Sequence, residues 1–78
     1  MDMTKIEKVV ADILQNRAVS YSDAERILKR LGFEVAICGS HHIFRKKGYW
    51  KNISIKKRSR LLPYQVRDVK EVLIDHGY

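Results

Sequence analysis

The sequence predicts an α+β domain in which a three-stranded antiparallel sheet is covered on one face by helices, in the order α-α-β-β-β-α. Three observations carry this. Apolar residues recur at helical spacing in two stretches before Gly32 and one after Pro63. Between them lie short β-branched and aromatic runs, separated by Gly-Ser and Lys-Gly turn signals. A sheet with one apolar face needs a covering layer, and the helices supply it.

The first helix opens at Thr4-Lys5-Ile6-Glu7, a capping box in which the Thr oxygen and Glu carboxylate satisfy orphan backbone donors. Ile6, Val9, Val10, Ile13 and Leu14 then form one stripe, and the helix runs to about Asn16. Ser22-Asp23-Ala24-Glu25 reads as a second capping box, with Tyr21, Ala24, Ile27, Leu28 and Leu31 on one face. Lys29 and Arg30 suit the negative end of that helix, and Gly32 its C-terminal cap. Phe33 to Cys38 reads as the first strand, with Phe33, Val35 and Ile37 on one side. A Gly39-Ser40 turn leads into a second strand from His41 to about Lys46. Lys47-Gly48-Tyr49-Trp50 turns into a third, Lys51 to Lys56, with Ile53 and Ile55 inward and Asn52, Ser54 and Lys56 on the open face. Pro63 opens the last helix, where its missing donor costs nothing. Val66, Val69, Val72, Leu73 and Ile74 make its stripe, Gly77 closes it, and His76 sits where a cation favours a helix end.

At 78 residues the chain holds one modest core. The single Cys38 excludes an internal disulfide and reads as a small core residue. The first residues show no signal-peptide pattern and no run approaches membrane-spanning length, so the expected location is the cytoplasm, with no membrane partner. The net charge of +7 is unevenly spread: between Glu34 and Asp68 there is no acidic residue. That interval holds Arg45, Lys46, Lys47, Lys51, Lys56, Lys57, Arg58, Arg60 and Arg67. A basic sector between near-neutral helices is the footprint of a phosphate-binding face; the plainer reading is a solvated surface, or one that meets an acidic protein.

Inside this sector stand His41 and His42, at the start of a strand where a side chain is held firmly yet partly open to solvent. Histidine is the side chain whose unperturbed pKa lies closest to neutrality. Ile43 and Phe44 are both apolar and point to opposite faces. If Ile43 faces the core, His41 shares its side and His42 points outward; if Phe44 does, the roles swap. One histidine is therefore partly buried and hydrogen-bonded, and the sequence leaves open which.

From about Ser20 onward the chain resembles the HicA family of small bacterial and archaeal toxins. The resemblance rests on Leu28-Lys29-Arg30-Leu31-Gly32-Phe33, on Gly39-Ser40-His41-His42-Ile43-Phe44-Arg45, on the Ile53-Ser54-Ile55 strand and on Leu62-Pro63-Tyr64-Gln65-Val66-Arg67. It implies a double-stranded-RNA-binding-domain-like fold, in agreement with the element order, and divides the chain into an N-terminal helical extension, residues 1–18, and a HicA-like domain, residues 19–78. It implies a ribonuclease acting on mRNA without a bound metal or other cofactor and neutralised by a HicB-like antitoxin. The family's essential histidine maps onto His41, supported by Ser40, with His42 as the alternative or auxiliary residue. Gly39, Arg45, Lys46, Lys47, Lys51, Lys56, Lys57, Arg58 and Arg60 are the expected RNA-binding positions. Many members continue the third strand with Pro-x-His; Ile55-Lys56-Lys57-Arg58 has neither residue, so any role of that histidine is absent or taken by a base.

The chemistry stands without the resemblance. RNA carries its own nucleophile, the 2′-hydroxyl, so a protein need only take that proton, hold the in-line geometry and stabilise charge on phosphorus. Neighbouring histidines on a strand point to opposite faces and do not readily grip one ion, so no metal site is expected. The alternative function is a non-catalytic RNA-binding module with a basic sheet face, reading shape and phosphates.

Overall fold

The computed structural model describes residues 5–56 and 60–78. The elements follow the expected order: α1 (Lys5–Leu14), α2 (Tyr21–Arg30), β1 (Glu34–Cys38), β2 (His41–Arg45), β3 (Ile53–Lys56) and α3 (Pro63–Asp75). The sheet is antiparallel with strand order β1-β2-β3. This is an α+β architecture compatible with a double-stranded-RNA-binding-domain-like fold. Among the described residues no helix is long and apolar enough to cross a membrane.

All three helices end alike, because a positive φ turns the chain away while the last carbonyls are still satisfied. Asn16 takes φ 58, and the Asn16 and Arg17 amides return to Ile13 and Asp12 at 3.0 and 2.8 Å. The Gly32 and Phe33 amides do the same for Lys29 and Leu28, and those of Gly77 and Tyr78 for Ile74 and Leu73. Two helices thus stop at the glycines the sequence offers, and α1 stops at an asparagine.

The start of α2 differs from expectation. Its N-cap is Ser20, whose Oγ accepts the Asp23 amide at 3.1 Å, and Ser22 is exposed inside the first turn. Ser20 also forms a backbone bridge with Arg60, and the Leu61 amide donates to Val19 at 2.9 Å. Pairing to that distant segment fixes Ser20 in extended backbone, so the helix starts at Tyr21, two residues before the expected start, and Tyr21 turns inward. The Thr4 cap expected for α1 lies outside the described residues. At α3 the backbone N–H of Leu62 donates to Gln65 Oε1 at 2.8 Å, closing the turn that Pro63 opens.

One core runs through every layer. Val9, Val10 and Ile13 of α1 belong to the same buried cluster as Ile27 and Leu28 of α2, Phe44, Ile53 and Ile55 of the sheet, and Val69, Val72 and Leu73 of α3. The α1 helix therefore contributes to the core on which the sheet rests. Ile37 and Ile74, both expected in the core, are outside it. Ile37 pairs with buried His42 and so shares the inner face, yet it is 66% exposed because β1 is an edge strand and its end runs past the helices. Ile74 is exposed one position beyond the α3 stripe.

The cap assignment is testable by chemical denaturation. Ser20→Ala should lower stability by about 1 kcal/mol, the usual cost of losing an N-cap, whereas Ser22→Ala should stay within about 0.5 kcal/mol. The reverse order would return the cap to Ser22.

Candidate active site

A two-residue turn sets the site. Cys38 pairs with His41 across it, so the turn consists of Gly39 and Ser40 alone. Gly39 takes φ +61 while Ser40 does not, the pattern of a hairpin turn that requires glycine first. His41 is thereby the first residue of β2, flanked in register by Cys38 on one side and Lys56 on the other. All three are exposed and point to the open face. Cys38 is thus a surface thiol rather than a core residue, because the register places it opposite His41.

Phe44 faces the core and is fully buried, which settles the direction of both histidines. His42 points inward, 9% exposed, and its Nδ1 meets the Tyr21 hydroxyl at 2.5 Å, the rings edge to face. Tyr21 also reaches Glu25 at 3.4 Å, and Lys29 pairs with Glu25 on the surface. Burial, and then the Glu25 carboxylate, push the Tyr21 hydroxyl up to about 12. His42 is therefore hydrogen-bonded inside the fold, whereas His41 is free to meet a ligand.

His41 lines a cleft of about 440 Å³ where the open sheet face meets the start of α3. The sheet side brings His41, Asn52, Ser54 and Lys56. The helix side brings Leu62, Tyr64, Gln65 and Asp68. Tyr64, Gln65, Asn52 and Ser54 were not singled out as site residues by sequence. The period-2 pattern puts the last two on the open face, but the juxtaposition with α3 is tertiary.

The basic residues separate into two groups. Arg45, Lys47, Lys56 and Arg60 are exposed, as are Gly39 and Ser40. Lys51 is turned back on the molecule: its Nζ bonds Asp68 at 3.2 Å and Glu71 at 3.0 Å and lies over the Trp50 ring. The Glu71 hydrogen bond raises it above the ordinary lysine range, burial opposing and Asp68 adding to the rise. Lys46 donates to His76 Nε2 at 2.9 Å, while His76 Nδ1 bonds the Val72 carbonyl at 2.7 Å. An ammonium only donates, so in this contact Nε2 is the accepting nitrogen of His76 and Nδ1 is the one that faces the Val72 carbonyl. Lys57 and Arg58 lie outside the described residues.

The 46–52 loop is further held by Tyr49 and Trp50, which donate to Asp75 at 2.7 and 3.4 Å. Burial and Asp75 raise the Tyr49 hydroxyl far above its ordinary value. Among the described residues no three His, Cys, Asp or Glu side chains gather as a metal-ligating group.

A protein-family model described as the HicA toxin of bacterial toxin-antitoxin matches residues 21–77. Neither the curated proteins nor the solved structures compared with the chain give a match.

Variants at Tyr21, His41 and Lys51 test this arrangement. Tyr21 is protonated in the folded chain well past pH 10, where an unfolded tyrosine ionises, so its contribution to stability is complete below pH 10 and lost as pH rises toward 12. Tyr21→Phe should remove an ionisation near pH 12 from the ultraviolet tyrosinate titration of the folded protein. At neutral pH it should cost about 1–3 kcal/mol, because buried His42 loses its partner. His41→Ala should change stability by less than about 0.5 kcal/mol. A neutral Tyr21→Phe would show that His42 needs no partner. Lys51→Ala should lower stability by about 1 kcal/mol or less, as its carboxylate partners are partly exposed.

Proposed function

The chain belongs to the HicA toxin family of bacterial toxin–antitoxin systems, and from that premise we propose that it is a metal-independent endoribonuclease acting on mRNA, with His41 as its catalytic base. The observation that carries this reading is the division of labour in the His41-His42 pair. His42 is bound to Tyr21 inside the fold, and His41 opens onto a cleft beside Lys56.

In this mechanism His41 takes the proton of the 2′-hydroxyl, and the freed oxygen attacks the adjacent phosphorus. The bond to the 5′-oxygen breaks as the new bond forms, and that oxygen takes a proton from water in the open cleft. Lys56, next to His41 across the strand pair, balances the charge that builds on the phosphorane oxygens. Ser40 and Gly39 act through the turn, which sets where His41 begins. Arg45, Lys47 and Arg60 hold flanking phosphates as solvent-facing cations. A HicB-like antitoxin restrains the activity, and both message and antitoxin place the protein in the cytoplasm. His42 supports the strand rather than the chemistry.

Induction of the chain alone should arrest growth, and His41→Ala should relieve the arrest while remaining folded. In vitro the same change should slow cleavage by about 100-fold or more, the usual contribution of a positioned base. Cleavage should persist in excess chelator, leave a 2′,3′-cyclic phosphate and fail on 2′-O-methylated RNA. A 3′-hydroxyl product, or activity restored only by magnesium or manganese, overturns the mechanism. RNA binding without cleavage by any preparation turns the reading to a non-catalytic RNA-binding module.

A further inference from the structure

The cleft beside His41 has more in it than a base and a cation. Tyr64, at the second position of α3, is 52% exposed, and it lines the cleft opposite the sheet. An aromatic ring left open to water within a polar cleft offers a flat face to another flat group. Gln65, beside it, is the contrary case: it lines the same cleft at 2% exposed. Its Oε1 accepts the Leu62 amide, and its NH₂ group is a donor. Asn52 and Ser54 add side chains that both donate and accept from the sheet side. The first turn of α3, the positive end of a helix, carries no acidic residue. Asp68, the carboxylate in the cleft, is held by Lys51.

We infer that this cleft is the binding site for one unpaired nucleotide of an RNA strand, its base against Tyr64 and its edge read by Asn52, Ser54 and Gln65. The inference rests on the ribonuclease reading for one point only, that the neighbouring phosphate lies at His41. The volume of about 440 Å³ is in the range that takes a small ligand. A base enters such a cleft only when it is splayed out of a helical stack, so the substrate is single-stranded RNA or a loop rather than a duplex. Stacking on an aromatic ring accepts every base, whereas the polar wall distinguishes their edges. The ring thus supplies affinity, and Asn52, Ser54 and Gln65 supply the preference for one base beside the cleaved bond.

The test uses 2′-fluoro oligoadenylate, oligocytidylate and oligouridylate, which lack the nucleophile and stay intact, with binding to the full chain read by fluorescence anisotropy. Single strands should bind more tightly than the same strand in a duplex. Tyr64→Ala should weaken binding roughly tenfold, and Tyr64→Phe, which keeps the ring, should stay within about twofold. Asn52→Ala should change the ranking of the three oligonucleotides. Equal affinity of Tyr64→Ala and the unaltered chain, a duplex bound as tightly as a single strand, or no RNA binding at all overturns the subsite, and an unchanged ranking removes the polar wall from it. Failure of the two readings is separable. If this binding pattern holds while ordinary RNA is never cleaved, the ribonuclease reading falls and the subsite stands. If RNA is cleaved while Tyr64→Ala alters neither affinity nor cleavage positions, the subsite alone falls.

Discussion

The parity of β2 governs the rest of the molecule. Side chains alternate along a strand, so one inward residue decides the direction of every other, and a slip of one residue would reverse them all. Phe44 is the residue that decides, packed at zero exposure with Ile53 as its cross-strand partner. The Tyr21–His42 bond fixes the same parity by polar means. A slipped strand would bury His41 and leave the Tyr21 hydroxyl without its imidazole, at a cost of about 1–3 kcal/mol for the unpaired group alone. Apolar packing and hydrogen bonding thus select the same arrangement, and the His41 imidazole is exposed because that of His42 is held.

That arrangement depends on α2 being correctly placed, which depends in turn on Ser20. Ser20 caps α2, bridges to Arg60 and precedes the tyrosine that receives His42. The segment leading into α3 is tied to the same point through the Leu61 amide on Val19. The two sides of the cleft, the open sheet face and the first turns of α3, are therefore positioned from one locus. The α1 helix reinforces it from behind: Val9, Val10 and Ile13 fill the core under α2 and α3, although the family match begins only at residue 21. An added helix that supplies core residues is part of what holds the site.

Much of this was legible in the chain, and what was not shares a physical cause. Periodicity, the turn glycines and Pro63 gave the element order, because each is a local property of the backbone. The Gly-Ser-His stretch and its basic surroundings are contiguous in sequence, and so they could be singled out by reading. Ser20-x-x-Asp23 and Ser22-x-x-Glu25 are both acceptable boxes locally, and the choice was made by a backbone pairing with Arg60. Ile43 and Phe44 are both acceptable core residues locally, and the choice was made by Tyr21 and the isoleucines of β3. Ile37 has the pattern of a core residue, but its strand end is uncovered. The cleft joins residue 41, residues 52–56 and residues 62–68, so no window along the chain contains it.

The same argument applies to charge. A sector without acidic residues between Glu34 and Asp68 looks uniformly cationic in sequence. Folding returns the α3 carboxylates to it: Asp68 and Glu71 engage Lys51, and Asp75 receives Tyr49 and Trp50. What remains among the described residues is a smaller set of exposed cations, Arg45, Lys47, Lys56, Arg60 and Arg67, of which Lys56 stands beside His41. A uniformly basic surface would attract RNA without orienting it, since phosphate contacts are indifferent to sequence. Using part of the charge to fasten the 46–52 loop to α3 leaves the cation next to His41 as the one that faces the cleft among the described residues. The sector is thereby divided between exposed cations and paired ones, and the paired ones fix the loop that the exposed ones flank.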